Sequence, residues 1–154
     1  DYTQQNLAYM LQQFAKQQHS QILVDPVKES DISKYGIAKL ASTQMVAKSE
    51  QNQSFAVTGF VEKPKAEDAP SNLAVVGRYV FNNAIFEYLA NTQPSVGGEI
   101  QLTDAIDALI STQGVDVVSM VGNSFDAGDM NSYLQAVGYF ATQLGIEAFQ
   151  HTAN

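Results

Sequence analysis

The apolar positions of the chain recur at two spacings, one typical of helices and one typical of strands. Near the amino terminus, apolar side chains three and four positions apart predict an amphipathic helix over residues 3–17, with Thr3 as its cap. Two short apolar runs, SQILVDPV at 20–27 and YGIAKL at 35–40, predict strands. The chain is therefore expected to begin as a helix followed by two strands.

Two further strands are predicted in the stretch 57–81. The segments VTGFV at 57–61 and LAVVGRYVF at 73–81 are rich in β-branched and aromatic residues. The polar segment between them contains two prolines and predicts a loop. We interpret residues 35–61 as a hairpin with a long tip.

Helices and one strand alternate in the remaining sequence. The pattern predicts helices over 83–91, from residue 99 onwards and over 130–144, with a strand at 115–121. The 154 residues, of which 45% are hydrophobic, are enough for one domain with a substantial core. The predicted fold class is therefore α/β.

Composition excludes several classes of protein. Sixteen acidic and eight basic side chains give a formal charge of -8, which argues against nucleic acid or an anionic membrane as a partner. The chain has no cysteine, which excludes disulfides and thiolate metal sites. It contains no apolar run of membrane-spanning length and no signal peptide, so we expect a cytoplasmic protein. No Ser/His/Asp set and no Gly-rich phosphate loop can be assembled.

The first candidate site is the Glu62-Lys63 pair, which stands where a predicted strand ends. Pro64 follows and blocks the hydrogen-bond ladder, because proline has no N–H to donate. Ligands bind at strand ends in open α/β sheets, where a lysine suits a phosphate and a glutamate accepts hydrogen bonds from sugar hydroxyls. The alternative is a solvated surface pair, and such pairs are common.

The second candidate site is Asp126, between a predicted strand and the last helix. Ala127 and Gly128 beside it let a ligand approach closely. Such a carboxylate can hold Mg²⁺, which takes one or two carboxylates and fills its other positions with water and phosphate oxygens. The alternative is a cap or loop residue, and Asp129 is explained by the dipole of the helix that follows. The residues alone thus indicate an anion site at Lys63 and a candidate metal site at Asp126.

Several motifs resemble those of the bacterial UTP-glucose-1-phosphate uridylyltransferases, which are sugar-nucleotide pyrophosphorylases. The motifs are HSQILVDPV, YGIA, FVEKPKAEDAPSNLAVVGRYVF, GEIQLTDAIDALI and FDAGD, and they follow the family's order over nearly the whole chain. The resemblance implies the C-terminal part of a Rossmann-like nucleotide-diphospho-sugar transferase fold, with a mixed sheet and flanking helices. It also implies transfer of a uridylyl group from UTP to glucose 1-phosphate with Mg²⁺, which yields UDP-glucose and pyrophosphate.

The resemblance assigns roles to seven residues. Lys63 would hold the sugar phosphate as the catalytic cation, and Asp126 would be one of two metal-binding aspartates. The sugar would be bound by Gly36, Glu62, Lys63, Val75, Tyr79 and Glu99. The family's other metal aspartate and its Gly-rich nucleotide loop belong to an N-terminal half that is absent from this chain. The family also usually carries a lysine at the position of Met130.

Two hypotheses about function follow. In the first, residues 1–154 are the sugar-1-phosphate-binding part of a uridylyltransferase and are inactive alone, because the UTP loop and half of the metal site are absent. In the second, the chain is a non-catalytic sugar-phosphate-binding or assembly module, as Met130 and the apolar last helix suggest. The expected partners are glucose 1-phosphate and UTP, with most of the UTP site in the absent half, and the resemblance implies a homo-oligomer.

Overall fold

The computed structural model describes residues 2–42, 44–94, 98 and 100–146. Contacts divide the chain into two units, Asp1–Gly122 and Asn123–Asn154, and each is described by itself. The elements of the first unit are α1 (Tyr2–Gln17), β1 (Ser20–Pro26), β2 (Gly36–Leu40), β3 (Ser54–Glu62), β4 (Leu73–Val80), α2 (Ala84–Asn91), α3 (Leu102–Gln113) and β5 (Val115–Ser119), and the second contains α4 (Met130–Gln143). Every predicted helix and strand is present, with ends that differ by a few residues. Over the described part of the chain, no helix is long and apolar enough to cross a membrane.

Two polar segments between strands contain 3₁₀ helix, at Glu29–Lys34 and at Ala66–Asp68, the second within the segment predicted as a loop. In both segments the residues on either side are extended, and acidic side chains lie in the first turn. The helix dipole favours negative charge at that end. Such short helices have no apolar stripe, so periodicity does not reveal them.

The five strands form one mixed sheet that closes on itself in the order β1-β4-β2-β3-β5. β1 and β5 run parallel, and the other neighbouring strands are antiparallel. The predicted mixed sheet with flanking helices is therefore confirmed, and β2 and β3 form the predicted hairpin. The closure was not predicted, because it depends on pairs far apart in sequence, such as Ser54 with Val118.

β1 lies between β4 and β5 and is buried on both faces. Ile22 and Val24 belong to the main core with Leu109 of α3, whereas Leu23 belongs to a second core with Met10 of α1. Successive side chains of a strand point to opposite faces, so a strand covered on both faces is apolar throughout. Each fully buried side chain of this kind contributes about 1.5–3 kcal/mol, and the two cores hold β1 between the helices.

The long tip of the β2–β3 hairpin is held by polar side chains. Asn72 binds both backbone groups of Val46: its Oδ1 accepts from the N–H at 3.0 Å, and its Nδ2 donates to the carbonyl at 2.8 Å. Lys48 forms an ion pair with buried Asp25 at 2.8 Å. Because a segment outside the ladder must satisfy its backbone groups in other ways, these bonds anchor the tip to β1 and to the residues before β4.

The second unit contains α4 and the turn that precedes it. Asp129 is the N-cap, since its carboxylate accepts hydrogen bonds from the Ser132 N–H at 3.0 Å and the Ser132 hydroxyl at 2.7 Å. Asp129 was assigned to the start of this helix because of the helix dipole, and the structure shows that it precedes the first helical residue as a hydrogen-bonding cap. The ring of Phe125 packs against those of Tyr139 and Phe140, with centroid distances of 5.0 and 5.9 Å, and ties the turn to the helix.

Candidate functional site

A cavity of about 460 Å³ in the first unit is lined by four strands, the segment before β2 and α3. This volume is typical of sites for small molecules. The cavity brings together four of the residues predicted to bind sugar: Gly36, Glu62, Val75 and Tyr79. The other lining residues are Ile22, Lys34, Tyr35, Phe60, Gly77, Thr103, Asp104, Ile106 and Asp107.

Gly36 and Glu62 are directly paired where β2 begins and β3 ends. A Cβ atom added to Gly36 would lie 3.1 Å from Oε2 of Glu62, closer than ordinary van der Waals contact. The lack of a side chain at position 36 therefore lets the Glu62 carboxylate lie close to the backbone of β2. This wall of the cavity presents a carboxylate that can accept hydrogen bonds.

A bulge in β4 shapes another part of the wall. Tyr79 pairs with Ile22 and Val75 pairs with Val24, so the segment 75–79 of β4 is longer than the segment of β1 that it faces. Gly77 lies within this bulge at a φ of 73°, in the left-handed region that favours glycine. As a result, Val75, Gly77 and Tyr79 all line the cavity.

Tyr79 contributes both an aromatic ring and a hydroxyl group. Its ring stacks on that of Phe81, with centroids 5.3 Å apart and planes inclined by 17°. Burial, and secondly the charge of Glu62, raise the pKa of Tyr79 above its ordinary value of 10.0. The hydroxyl therefore stays protonated at neutral pH, while the ring provides an apolar surface against which a sugar can pack.

Lys63 follows β3 and is not among the residues that line the cavity. Its φ of 46° is in the left-handed region, which costs roughly 1–2 kcal/mol for a residue with a side chain. Its backbone N–H donates to the carbonyl of Tyr35 at 3.0 Å, and its Nζ lies 3.8 Å from Oε1 of Glu62. Because the Lys63 side chain is 63% exposed, its ammonium group is accessible to a ligand beside the cavity residue Glu62.

α3 supplies cavity residues that the sequence analysis did not assign, among them Asp104 and Asp107. Their spacing of three places them on one side of the helix, but acidic side chains on helices usually face solvent. Burial, and secondly the charge of Asp104, raise the pKa of Asp107 above its ordinary value of 3.8. A Cβ atom added to Gly59 would lie 3.9 Å from Oδ1 of Asp107, so this carboxylate lies against β3.

Asp126 lies in the second unit, in the turn before α4. Its Oδ1 accepts a hydrogen bond from the Gly128 N–H at 3.0 Å. This contact is typical of a loop residue, which is one of the two interpretations of Asp126 given by the sequence. The side chain is exposed and has the oxygen donors that Mg²⁺ prefers, so it fits as one ligand of such an ion. Within the described ranges, no group of three or more His, Cys, Asp or Glu side chains is arranged to hold a metal.

Glu99, to which the resemblance gives a sugar-binding role, lies outside the described residues.

Comparisons with known sequences identify relatives along nearly the whole chain. The Nucleotidyl transferase family matches residues 1–143. The chain is 46% identical over 136 residues to the UTP–glucose-1-phosphate uridylyltransferases of Haemophilus influenzae and Escherichia coli K12. These matches cover 88% of this chain and 45% and 43% of the two enzymes, so the chain spans about half the length of the curated relatives that it matches.

Solved structures show the same relationship. The UTP-bound UGPase from Acinetobacter baumannii superposes with a TM-score of 0.77 at 38% identity, over 90% of this chain and 45% of that one. A UDP-glucose pyrophosphorylase complexed with UDP-glucose superposes with a TM-score of 0.74 at 31% identity, over 90% of this chain and 50% of that one. The fold and the resemblance inferred from the motifs are confirmed. Because the family match extends over residues 1–143, the chain belongs to the nucleotidyl transferase family.

Proposed function

We propose that this chain binds glucose 1-phosphate as the sugar-phosphate half of a UTP–glucose-1-phosphate uridylyltransferase. The cavity carries the proposal, because it joins Gly36, Glu62, Val75 and Tyr79 next to the exposed ammonium group of Lys63. Its volume suits a hexose. The names of the relatives contain both substrates, UTP and glucose 1-phosphate.

Each group in the cavity has a role that suits its chemistry. The Val75 side chain and the Tyr79 ring pack against the C–H surface of the sugar, and the Glu62 carboxylate accepts hydrogen bonds from sugar hydroxyls. The Lys63 ammonium group, 3.8 Å from Glu62, binds the phosphate next to the sugar. One ligand thus uses both members of the Glu62-Lys63 pair.

The proposed reaction is an in-line transfer at phosphorus. A phosphate oxygen of glucose 1-phosphate attacks the α-phosphorus of UTP, the bond from that phosphorus to the pyrophosphate breaks, and UDP-glucose forms. Lys63 neutralises the charge of the attacking phosphate, which otherwise repels the phosphates of UTP. Asp126 is the proposed ligand for Mg²⁺, which when bound would neutralise charge on the UTP phosphates. Because the 154 residues contain no Gly-rich phosphate loop, we expect this chain alone to form no UDP-glucose.

A second candidate function is a non-catalytic binding or assembly module. It is favoured by Met130, which is 69% exposed at the position where the family usually has a lysine, and by Leu134 and Phe140, which are exposed on the same helix. An exposed apolar face is typical of an interface between subunits. On this candidate the chain binds glucose 1-phosphate but contributes to no transfer reaction. Assembly as a homo-oligomer and a cytoplasmic location stay predictions under both candidates.

The proposal is tested by calorimetric titration of glucose 1-phosphate into this chain in the presence of Mg²⁺. Lys63→Ala removes the cation, and we expect its affinity to fall by about 10- to 100-fold, the equivalent of one charge-assisted hydrogen bond. Lys65→Ala is the matched control, because Lys65 is 78% exposed, lies two residues away and pairs with Glu67. It should bind as tightly as the wild type.

Equal binding by the wild type and the Lys63→Ala variant would refute the role of Lys63. A wild-type chain that does not bind glucose 1-phosphate would refute the preformed half-site. A further experiment mixes the chain with UTP, glucose 1-phosphate and Mg²⁺. Both candidate functions predict that no UDP-glucose forms, so turnover would contradict both and would indicate a complete enzyme.

A further inference from the structure

The α3 side of the cavity carries two carboxylates without hydrogen-bond donors. Asp104 and Asp107 both line the cavity, and over the described ranges no group donates a hydrogen bond to either side chain and no cation pairs with either one. Asp107 lies against β3 at Gly59 and is partly removed from water. Both residues remain exposed, so each carboxylate is accessible to a ligand in the cavity and can accept hydrogen bonds from it.

The charges of the cavity indicate which ligand group supplies those donors. Among the described residues, three carboxylates line it (Glu62, Asp104 and Asp107), and the one lysine of that lining, Lys34, is paired with Asp31 at 2.7 Å. This excess of negative charge repels a phosphate and favours neutral hydroxyl donors. A metal ion is a weaker explanation, because the described carboxylates do not form a group of three that could hold one.

We propose that Asp107, with Asp104 beside it, binds hydroxyl groups on the part of the sugar ring that faces α3, while Glu62 binds other hydroxyls of the same ring. This inference rests on the proposed function, since the sugar of glucose 1-phosphate is taken as the occupant. It orients the ligand, because the sugar ring occupies the cavity that these carboxylates line and the phosphate stays outside with Lys63. Asp107 is then a residue that selects sugars by a hydroxyl at one position of the ring.

The test is a double-mutant cycle in which one change is made in the protein and the other in the ligand. Asp107→Asn keeps the shape of the side chain and removes its charge, and it is titrated with glucose 1-phosphate and with its 2-, 3-, 4- and 6-deoxy analogues. We expect Asp107→Asn to weaken binding of glucose 1-phosphate about tenfold. For one deoxy analogue, the affinity for the wild type should be about tenfold lower than that of glucose 1-phosphate. The Asp107→Asn variant should bind this analogue no more weakly than it binds glucose 1-phosphate. Asp68→Asn, a change of the same kind at an exposed residue outside the cavity, should leave all affinities unchanged.

The outcomes separate this inference from the proposed function. Suppose that the wild type binds glucose 1-phosphate, and that removing each hydroxyl lowers the affinity of the wild type and of Asp107→Asn by the same factor. The inference about Asp107 is then wrong, and the proposed half-site stands. If the wild type binds none of these ligands, the proposed function itself fails. Asp107→Ala, with the better helix former at that position, repeats the cycle if the first variant unfolds. Tight binding of Mg²⁺ alone that is lost in Asp107→Asn would overturn the hydroxyl assignment in favour of a metal site.

Discussion

Replacing Gly36 by alanine tests whether the Glu62 carboxylate must lie where the structure places it. The backbone of Gly36 is not in the left-handed region, so alanine can adopt it without strain. The new Cβ, however, would lie 3.1 Å from Oε2 of Glu62. The carboxylate must then move by a few tenths of an ångström, and a methyl group enters the cavity wall.

The expected effects on stability and on binding differ in sign and size. Because the Glu62 side chain is 66% exposed, it can move at little cost, and alanine gains up to about 1 kcal/mol by restricting the unfolded chain. We therefore expect the free energy of unfolding to change by less than about 1 kcal/mol. Binding should suffer more, since loss of one hydrogen bond to a charged acceptor costs about 1.5–3 kcal/mol, or roughly 10- to 100-fold in affinity.

The assay combines urea denaturation with calorimetric titration of glucose 1-phosphate. Gly138→Ala is the control: Gly138 lies within α4, an added Cβ meets nothing within 4 Å, and alanine is the better helix former. This control should be stabilised by about 0.5–1 kcal/mol and should bind normally. Wild-type affinity in Gly36→Ala would refute the reasoning, and so would a loss of stability above about 2 kcal/mol, which is the size expected for a clash that cannot relax.

Two further predictions concern stability. In the wild type, the raised pKa of Asp107 means that the folded chain binds more protons than the unfolded chain from about pH 3.8 upwards. Wild-type stability therefore falls as pH rises through that window. The Asp107→Asn variant lacks this titrating group, so its stability should depend less on pH. The variant should be the more stable protein at pH 7, by less than about 1 kcal/mol because the side chain is largely exposed, and equal pH profiles in urea denaturation would contradict this. Asn72→Ala removes both hydrogen bonds to the backbone of Val46 and should cost about 2 kcal/mol with binding retained, whereas an unchanged urea midpoint would show that the hairpin tip does not need this anchor.

Part of the candidate site could be predicted from residues that are neighbours in sequence. Glu62 and Lys63 stand out because Pro64 stops a strand beside them, and the structure ends β3 at Glu62. Gly36, Val75 and Tyr79 carry no local signal of this kind, and only the family resemblance pointed to them. Asp107 was missed, because an acidic residue on an amphipathic helix has the same pattern whether it faces solvent or a cavity.

The sequence by itself determined the order of the α-helices and strands and the family, because each depends on side chains a few positions apart or on motifs read directly. Only the tertiary structure decided that the sheet closes, that α3 forms a wall of the cavity, and that Tyr79 and Asp107 have raised pKa values. These properties depend on burial and on groups brought together from distant parts of the chain. Local periodicity specifies which face of an element is apolar, but it does not specify which other element covers that face.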